Sequence, residues 1–191
     1  MPTMTKVECD PNHIYRVGGV IKPGFSEMCR AVGFPDNPFW TEAAREEGVA
    51  LHTWALFMAQ GKKPIELPDP RIVRRVNGIR RFLTEHEFIL KGGETPIWSP
   101  EFGFCCTPDI FGYLDGHAAV VEMKRGAKMK RHRLQTAAQV LALDTNGFAA
   151  SKRFCLYLKD GGYDLVEHDD DEDFECFKAI VSGYHAREAY K

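Results

Sequence analysis

The segment that most restricts the fold is residues 107–124, TPDIFGYLDGHAAVVEMK. It reads as two strands joined at Asp115-Gly116, a dipeptide suited to a tight hairpin turn. The first strand carries Ile110, Phe111, Tyr113 and Leu114. The second, Ala118 to Met123, is a nearly continuous apolar run, as expected of a strand buried on both faces. Side chains alternate along a strand, so Glu122 and Lys124 share one side and Met123 the other. Asp109, entering the first strand, then lies opposite the end of the second. Two carboxylates and an ammonium converging at a sheet edge can hold a hard divalent cation and stabilise an oxyanion beside it. The same residues also suit a plain hairpin with a solvated Glu/Lys end, so the rest of the chain must weigh between the two.

With 191 residues, 44% hydrophobic and 27% charged, the chain is long enough to bury a full core, and one domain spanning 1–191 is expected. No stretch reaches the length of a membrane span and MPTMTKVECD is not signal-like, which points to a soluble cytoplasmic protein without a membrane partner. The six cysteines, at 9, 29, 105, 106, 155 and 176, form no CxxC or zinc-finger pattern and are expected as free thiols. Net charge is −2, but the charges are segregated. Basic residues crowd 71–81 (RIVRRVNGIRR) and 124–133 (KRGAKMKRHR), whereas 160–175 is acidic with no Lys or Arg. Arg74, Arg75, Lys128, Lys130 and Arg131 therefore offer local positive patches to a phosphate backbone, although a solvated helix face explains the first cluster equally well.

Taken in order, residues 13–22 predict a hairpin about Gly18-Gly19, followed by a short helix from Ser26, its expected cap, to Val32. After the loop GFPDNP comes a longer helix, Trp40 to Gln60, with Trp40, Ala44, Leu51, Trp54, Ala55 and Met58 on its apolar face. Gly48 and His52 lie one turn apart on the flank, where the imidazole would cover the space the glycine leaves and allow close helix packing. Standing alone, His52 would read as a hydrogen-bonded core histidine. A Pro-containing linker, 63–70, precedes a basic amphipathic helix, 71–84, with Ile72, Val73, Val76, Ile79 and Phe82 inward. A strand, 85–90, leads to the turn Lys91-Gly92-Gly93. In an extended piece near 98–106, Cys105 and Cys106 are expected to point one inward and one outward. Glu87 and Glu101 are expected at the surface rather than at a site.

Beyond Lys124, a basic loop leads to a helix at 131–143, with Leu134, Ala137, Ala138 and Leu141 inward and Arg131, Gln135 and Gln139 on a neighbouring face. A second hairpin, 152–168, turns at Asp160-Gly161-Gly162. The acidic run 169–173 then caps a last helix extending to about Arg187.

Pro108-Asp109 with Glu122-x-Lys124, preceded by Gly48-x-x-x-His52 and followed by Gln135-x-x-x-Gln139, resembles the PD-(D/E)xK nuclease superfamily in its RecB-type branch, which includes phage exonucleases and CRISPR-adaptation nucleases. The resemblance spans roughly residues 13–188. It implies an α/β, restriction-endonuclease-like fold with an αβββαβ core, a small mixed sheet flanked by helices, and a metal-site core at about 40–145 between the hairpin 13–22 and a C-terminal hairpin and helix at 150–188. It also implies a divalent-metal-dependent deoxyribonuclease, most simply an exonuclease of phage or bacterial recombination or replication, using Mg²⁺ or Mn²⁺. By resemblance His52, Asp109, Glu122 and the Met123 carbonyl would bind the metal, Lys124 would assist the attacking water and the developing charge, and Gln135 would position the site. DNA is the implied partner, with a recombinase, helicase or single-strand-binding protein as a further one. A non-catalytic binding module, or a subunit active only with such a partner, is the alternative. Two positions depart from the family: Pro23-Gly24-Phe25-Ser26 replaces its usual segment, and Gln139 stands where it has tyrosine.

Overall fold

The computed structural model describes residues 5–34, 41–62 and 69–191. Trp40, most of the loop 33–38 and most of the linker 63–70 lie outside the described residues.

The fold is built on the hairpin of β7 (Ile110–Leu114) and β8 (His117–Lys124), antiparallel in the register Ile110↔Val121. Asp115 and Gly116 both take positive φ, 49° and 82°, the backbone required by a two-residue turn matched to strand twist. β8 is central in a five-stranded mixed sheet of order β10-β9-β8-β7-β4, with β4 Phe88–Gly92, β9 Lys152–Lys159 and β10 Gly162–Glu167. Within this sheet, among the described residues, β8 and β9 are the parallel pair, and the helix α4 (Lys130–Asp144) makes the crossover between them.

Alternation along β8 divides the core. Val120 faces a cluster with Leu134, Ala138, Phe177 and Met28, formed by α4, the C-terminal helix α5 (Glu172–Ala189) and the short helix α1 (Phe25–Ala31). Ala119, Val121 and Met123 face the opposite cluster, with Leu51 and Ala55 of α2 (Glu42–Ala59) and Val76, Ile79 and Phe82 of α3 (Val73–Glu85). The order α3-β4-β7-β8-α4-β9 is the expected αβββαβ core, with helices on both faces of the sheet. Gly78 lets α3 lie against the β9–β10 turn, because a Cβ there would meet the Gly162 carbonyl oxygen at 2.4 Å.

Several local expectations are corrected. α1 begins at Phe25 with Gly24 as its N-cap, so Ser26 sits inside the helix; Gly24 is fixed by a bridge to Cys105 rather than by a side-chain cap. Val73 starts α3 on its outer side and is 38% exposed. Cys105 and Cys106 are both buried, because β6 (Phe104–Cys106) pairs with β5 (Ile97–Ser99) while Pro23-Gly24 covers its other side, the Cys105 N–H donating to the Pro23 carbonyl at 2.8 Å. A strand at Val7–Cys9 (β1) adds to the expected hairpin Tyr15–Val17 (β2) and Val20–Lys22 (β3). The acidic run does open α5: Asp170 accepts the Glu172 N–H at 3.0 Å, while Asp173 turns inward to Arg153 at 2.7 Å. None of the six cysteines forms a disulfide. No helix among the described residues is long and apolar enough to cross a membrane.

Candidate metal centre

The end of β8 and the entry to β7 meet where the hairpin dictates. Asp109 is 4% exposed, and its Oδ2 accepts the Met123 backbone N–H at 2.6 Å, so the strand itself orients the carboxylate. Tyr15 braces the same segment through its hydroxyl, 3.1 Å from the Thr107 hydroxyl.

His52 reaches this point from α2, whose start is capped by Thr41 accepting the Ala44 N–H. Its Nδ1 stands 3.3 Å from Asp109 Oδ1 and 3.2 Å from Glu94 Oε1. Ligand atoms of His52, Glu94 and Asp109 all lie within 4.8 Å of one another. One imidazole nitrogen and two carboxylate oxygens at that spacing suit a divalent cation. His52 remains 26% exposed, which leaves the cup a side open to solvent.

Glu94 is the candidate ligand that sequence reasoning missed. Strands β4 and β7 carry an irregularity between Leu90 and Gly92, after which Gly92 pairs with Phe111. Continuing that shifted register puts Glu94 opposite Asp109, and the Glu94 N–H donates to the Pro108 carbonyl at 2.9 Å. Glu94 itself adopts φ 49°, a conformation uncommon for a non-glycine residue. Beside it, Gly93 permits the close approach, since a Cβ there would meet the Asp109 carbonyl at 2.3 Å. Glu87 and Glu101 are exposed, as expected.

Glu122 is 1% exposed and faces α4. Its Oε1 accepts from Lys124 Nζ at 2.5 Å and from Gln135 at 2.7 Å, and its Oε2 accepts from Gln139 at 2.5 Å. Three donors on one carboxylate are the partners of an ionised acid. Gln139 is thus part of the site through its amide. Of the expected set, the structure brings His52 and Asp109 into contact, whereas Glu122 is caged by its amides and ammonium and acts on the other two through its field.

The charge environments follow the same division. Burial raises Asp109, and Glu122 raises it further against the opposing pull of His52 and Lys124, to about 7. Burial would lower His52, but Asp109 and Glu94, with a smaller contribution from Glu122, bring it up to about 9. Burial would also raise Glu122, yet Lys124 and the Gln139 amide hold it below the usual carboxylate range. Lys124 is shifted upward by Glu122 and Asp109 despite burial, so it stays an ammonium.

Two expectations are altered. Gly48 packs against nothing, a Cβ there having open space within 4 Å, so it opens surface beside His52 rather than admitting a neighbouring element. The basic residues do not form one free patch. Arg74 meets Asp160 at 3.4 Å and Lys128 meets Asp164 at 3.1 Å, both acids belonging to the β9–β10 hairpin. Arg131 stacks over Phe25 at 5.4 Å, Lys130 is exposed at the start of α4, and Arg75 turns toward Glu47.

No family model and no curated protein matches the chain. Among solved structures, a Eubacterium rectale protein provisionally named an exonuclease is similar, with a TM-score of 0.52 at 11% identity over 86% of this chain and 72% of that one. At that identity the likeness concerns the fold.

Proposed function

We propose that this chain is a divalent-metal-dependent nuclease that hydrolyses phosphodiester bonds of DNA, acting as an exonuclease in phage or bacterial recombination or replication. The observation that carries the reading is the meeting of a His52–Glu94–Asp109 cup with a buried Glu122–Lys124 pair at one sheet end. His52, Glu94 and Asp109 would hold Mg²⁺ or Mn²⁺, with the Met123 carbonyl adding a ligand from β8 and Glu122 bearing on them through its charge. Imidazole in that set favours Mn²⁺. Such a cation supplies a water made nucleophilic at neutral pH and positive charge beside the phosphoryl oxygen.

The chain's own residues do the rest. Glu122, fixed by Gln135 and Gln139, holds the Lys124 ammonium in place, so a donor is set toward the charge that develops on phosphorus without reorganising at the moment of reaction. The Met123 N–H keeps Asp109 turned to the cup. The fold shared with the Eubacterium rectale protein, which is named for exonuclease activity, supports the same class.

Purified protein incubated with end-labelled linear and covalently closed circular DNA, with Mn²⁺, Mg²⁺ or EDTA, tests the assignment. Linear DNA should be degraded from its ends with either metal, and not with EDTA. Rapid nicking of closed circles would make it an endonuclease, and no cleavage with any metal would remove the enzymatic reading.

A further inference from the structure

Beside the metal cup, and outside the residues that build it, two guanidinium groups share one carboxylate. Arg125 Nη1 donates to Glu47 Oε2, and Arg75 Nη1 lies 3.8 Å from the same oxygen. Arg125 immediately follows Lys124 at the end of β8. Glu47 precedes Gly48 on α2, the position with open space beside it. The cluster is half-buried: the side chains of Arg75, Arg125 and Glu47 are 25%, 31% and 17% exposed. Two cations on one anion leave a net positive charge. Arg75 Nε, moreover, is buried with no hydrogen-bond partner, so that guanidinium is under-satisfied where it rests. Arg74 and Lys128, in contrast, each face an acid of their own.

We propose that Arg75 and Arg125 form a phosphate-binding clamp for the backbone of the nucleic acid strand, with Glu47 holding the two forks until a phosphodiester displaces it. The inference rests on the nuclease reading and adds to it a site for a phosphate flanking the reactive one. A guanidinium fork matches two phosphate oxygens as it matches a carboxylate, and two forks bind a diester better than they bind one shared carboxylate oxygen. The strand would cross the open surface at Gly48, with Lys124 and Arg125, consecutive residues, addressing successive parts of the backbone. Glu47 is then an intramolecular competitor, and its removal strengthens binding, a result that a purely structural ion pair would not give.

The test is the affinity of a short fluorescent single-stranded DNA lacking terminal phosphates, measured by anisotropy over a range of salt with EDTA present to stop hydrolysis. Mn²⁺ affinity of each variant is measured in parallel by calorimetry. Arg125→Ala should weaken DNA binding by about tenfold and lower the salt slope by about one, since one fewer counterion is released. Glu47→Gln should strengthen binding severalfold. Arg75→Lys, which keeps the charge and the fold but loses the fork, should retain the salt slope and lose affinity. Mn²⁺ affinity should stay at the wild-type value in all three. DNA binding unchanged in Arg125→Ala, or weakened in Glu47→Gln, overturns the clamp and leaves the nuclease reading standing. Wild-type protein that binds Mn²⁺ but binds no DNA even with Ca²⁺ in place of EDTA overturns both.

Discussion

The two halves of the candidate metal centre meet helices from opposite faces of one sheet, α4 and α2, and they balance their charges differently. On the α4 face Glu122 is saturated by Lys124, Gln135 and Gln139 and stays ionised below its ordinary pKa. On the α2 face Asp109, Glu94 and His52 crowd together, and Asp109 is pushed up to about 7 while His52 climbs to about 9. In the first half the carboxylate has three donors and makes a preorganised electrostatic scaffold, although Gln139 Oε1 beside it is buried without a partner. In the other, two carboxylates crowd one imidazole, and a divalent cation would relieve that imbalance. The grouping of one imidazole with two carboxylates is what makes the α2 half the proposed seat of the cation.

Substitutions on the two sides should therefore move stability in opposite directions. Asp109→Asn should reduce metal affinity and cleavage by orders of magnitude, yet stabilise the metal-free fold by about 1–3 kcal/mol at pH 8, because a costly buried charge is removed while the Met123 N–H keeps an acceptor. Glu122→Gln should also abolish cleavage but destabilise the fold by about 2–4 kcal/mol, since Lys124 loses its anion. Thermal unfolding in EDTA beside cleavage assays reads both signs, and equal signs would break the comparison.

Lys124→Ala should slow the chemical step by about 100-fold or more while Mn²⁺ affinity changes little, which single-turnover kinetics and calorimetry separate. Glu94→Gln and His52→Ala should each weaken Mn²⁺ binding by about tenfold or more, with His52→Ala affecting Mn²⁺ more than Mg²⁺.

The pH dependence carries the smallest effect and a definite sign. His52 and Asp109 both have pKa values raised on folding, so in the metal-free protein they contribute stability at low pH that is lost as pH rises, through about 7 for Asp109 and about 9 for His52. Metal must displace those protons, so Mn²⁺ affinity should increase from pH 6 to about pH 9. The metal-induced rise in Tm should grow over the same window. An affinity that levels off at pH 6.5, the ordinary histidine value, would mean that His52 is not held by the two carboxylates.

Much of this centre was legible in the sequence. The Asp115-Gly116 turn and strand alternation placed Glu122 and Lys124 on one side, and helical spacing aligned Gln135 with Gln139 one turn on. The chain's later half follows from such local rules, with β8, α4 and β9 consecutive. What escaped depends on long-range register. Glu94 reaches Asp109 only because the β4–β7 pairing slips after Leu90, and nothing in FILKGGET announces that slip. One of Cys105 and Cys106 is expected outward from the sequence, because the strand's period says nothing about Pro23-Gly24 arriving to cover β6. Gly48 suggested close packing, whereas the space beside it is open, since period alone does not say whether a glycine admits a neighbour or leaves a path.

The central claim is that the α2 half seats the cation, and anomalous diffraction from a Mn²⁺-soaked crystal tests it most directly. A single strong peak should lie about 2.0–2.4 Å from a nitrogen of His52 and from carboxylate oxygens of both Glu94 and Asp109. A peak bound by Glu122 and Lys124's neighbours with Glu94 uninvolved, or an imidazole turned away from the ion, would contradict the account.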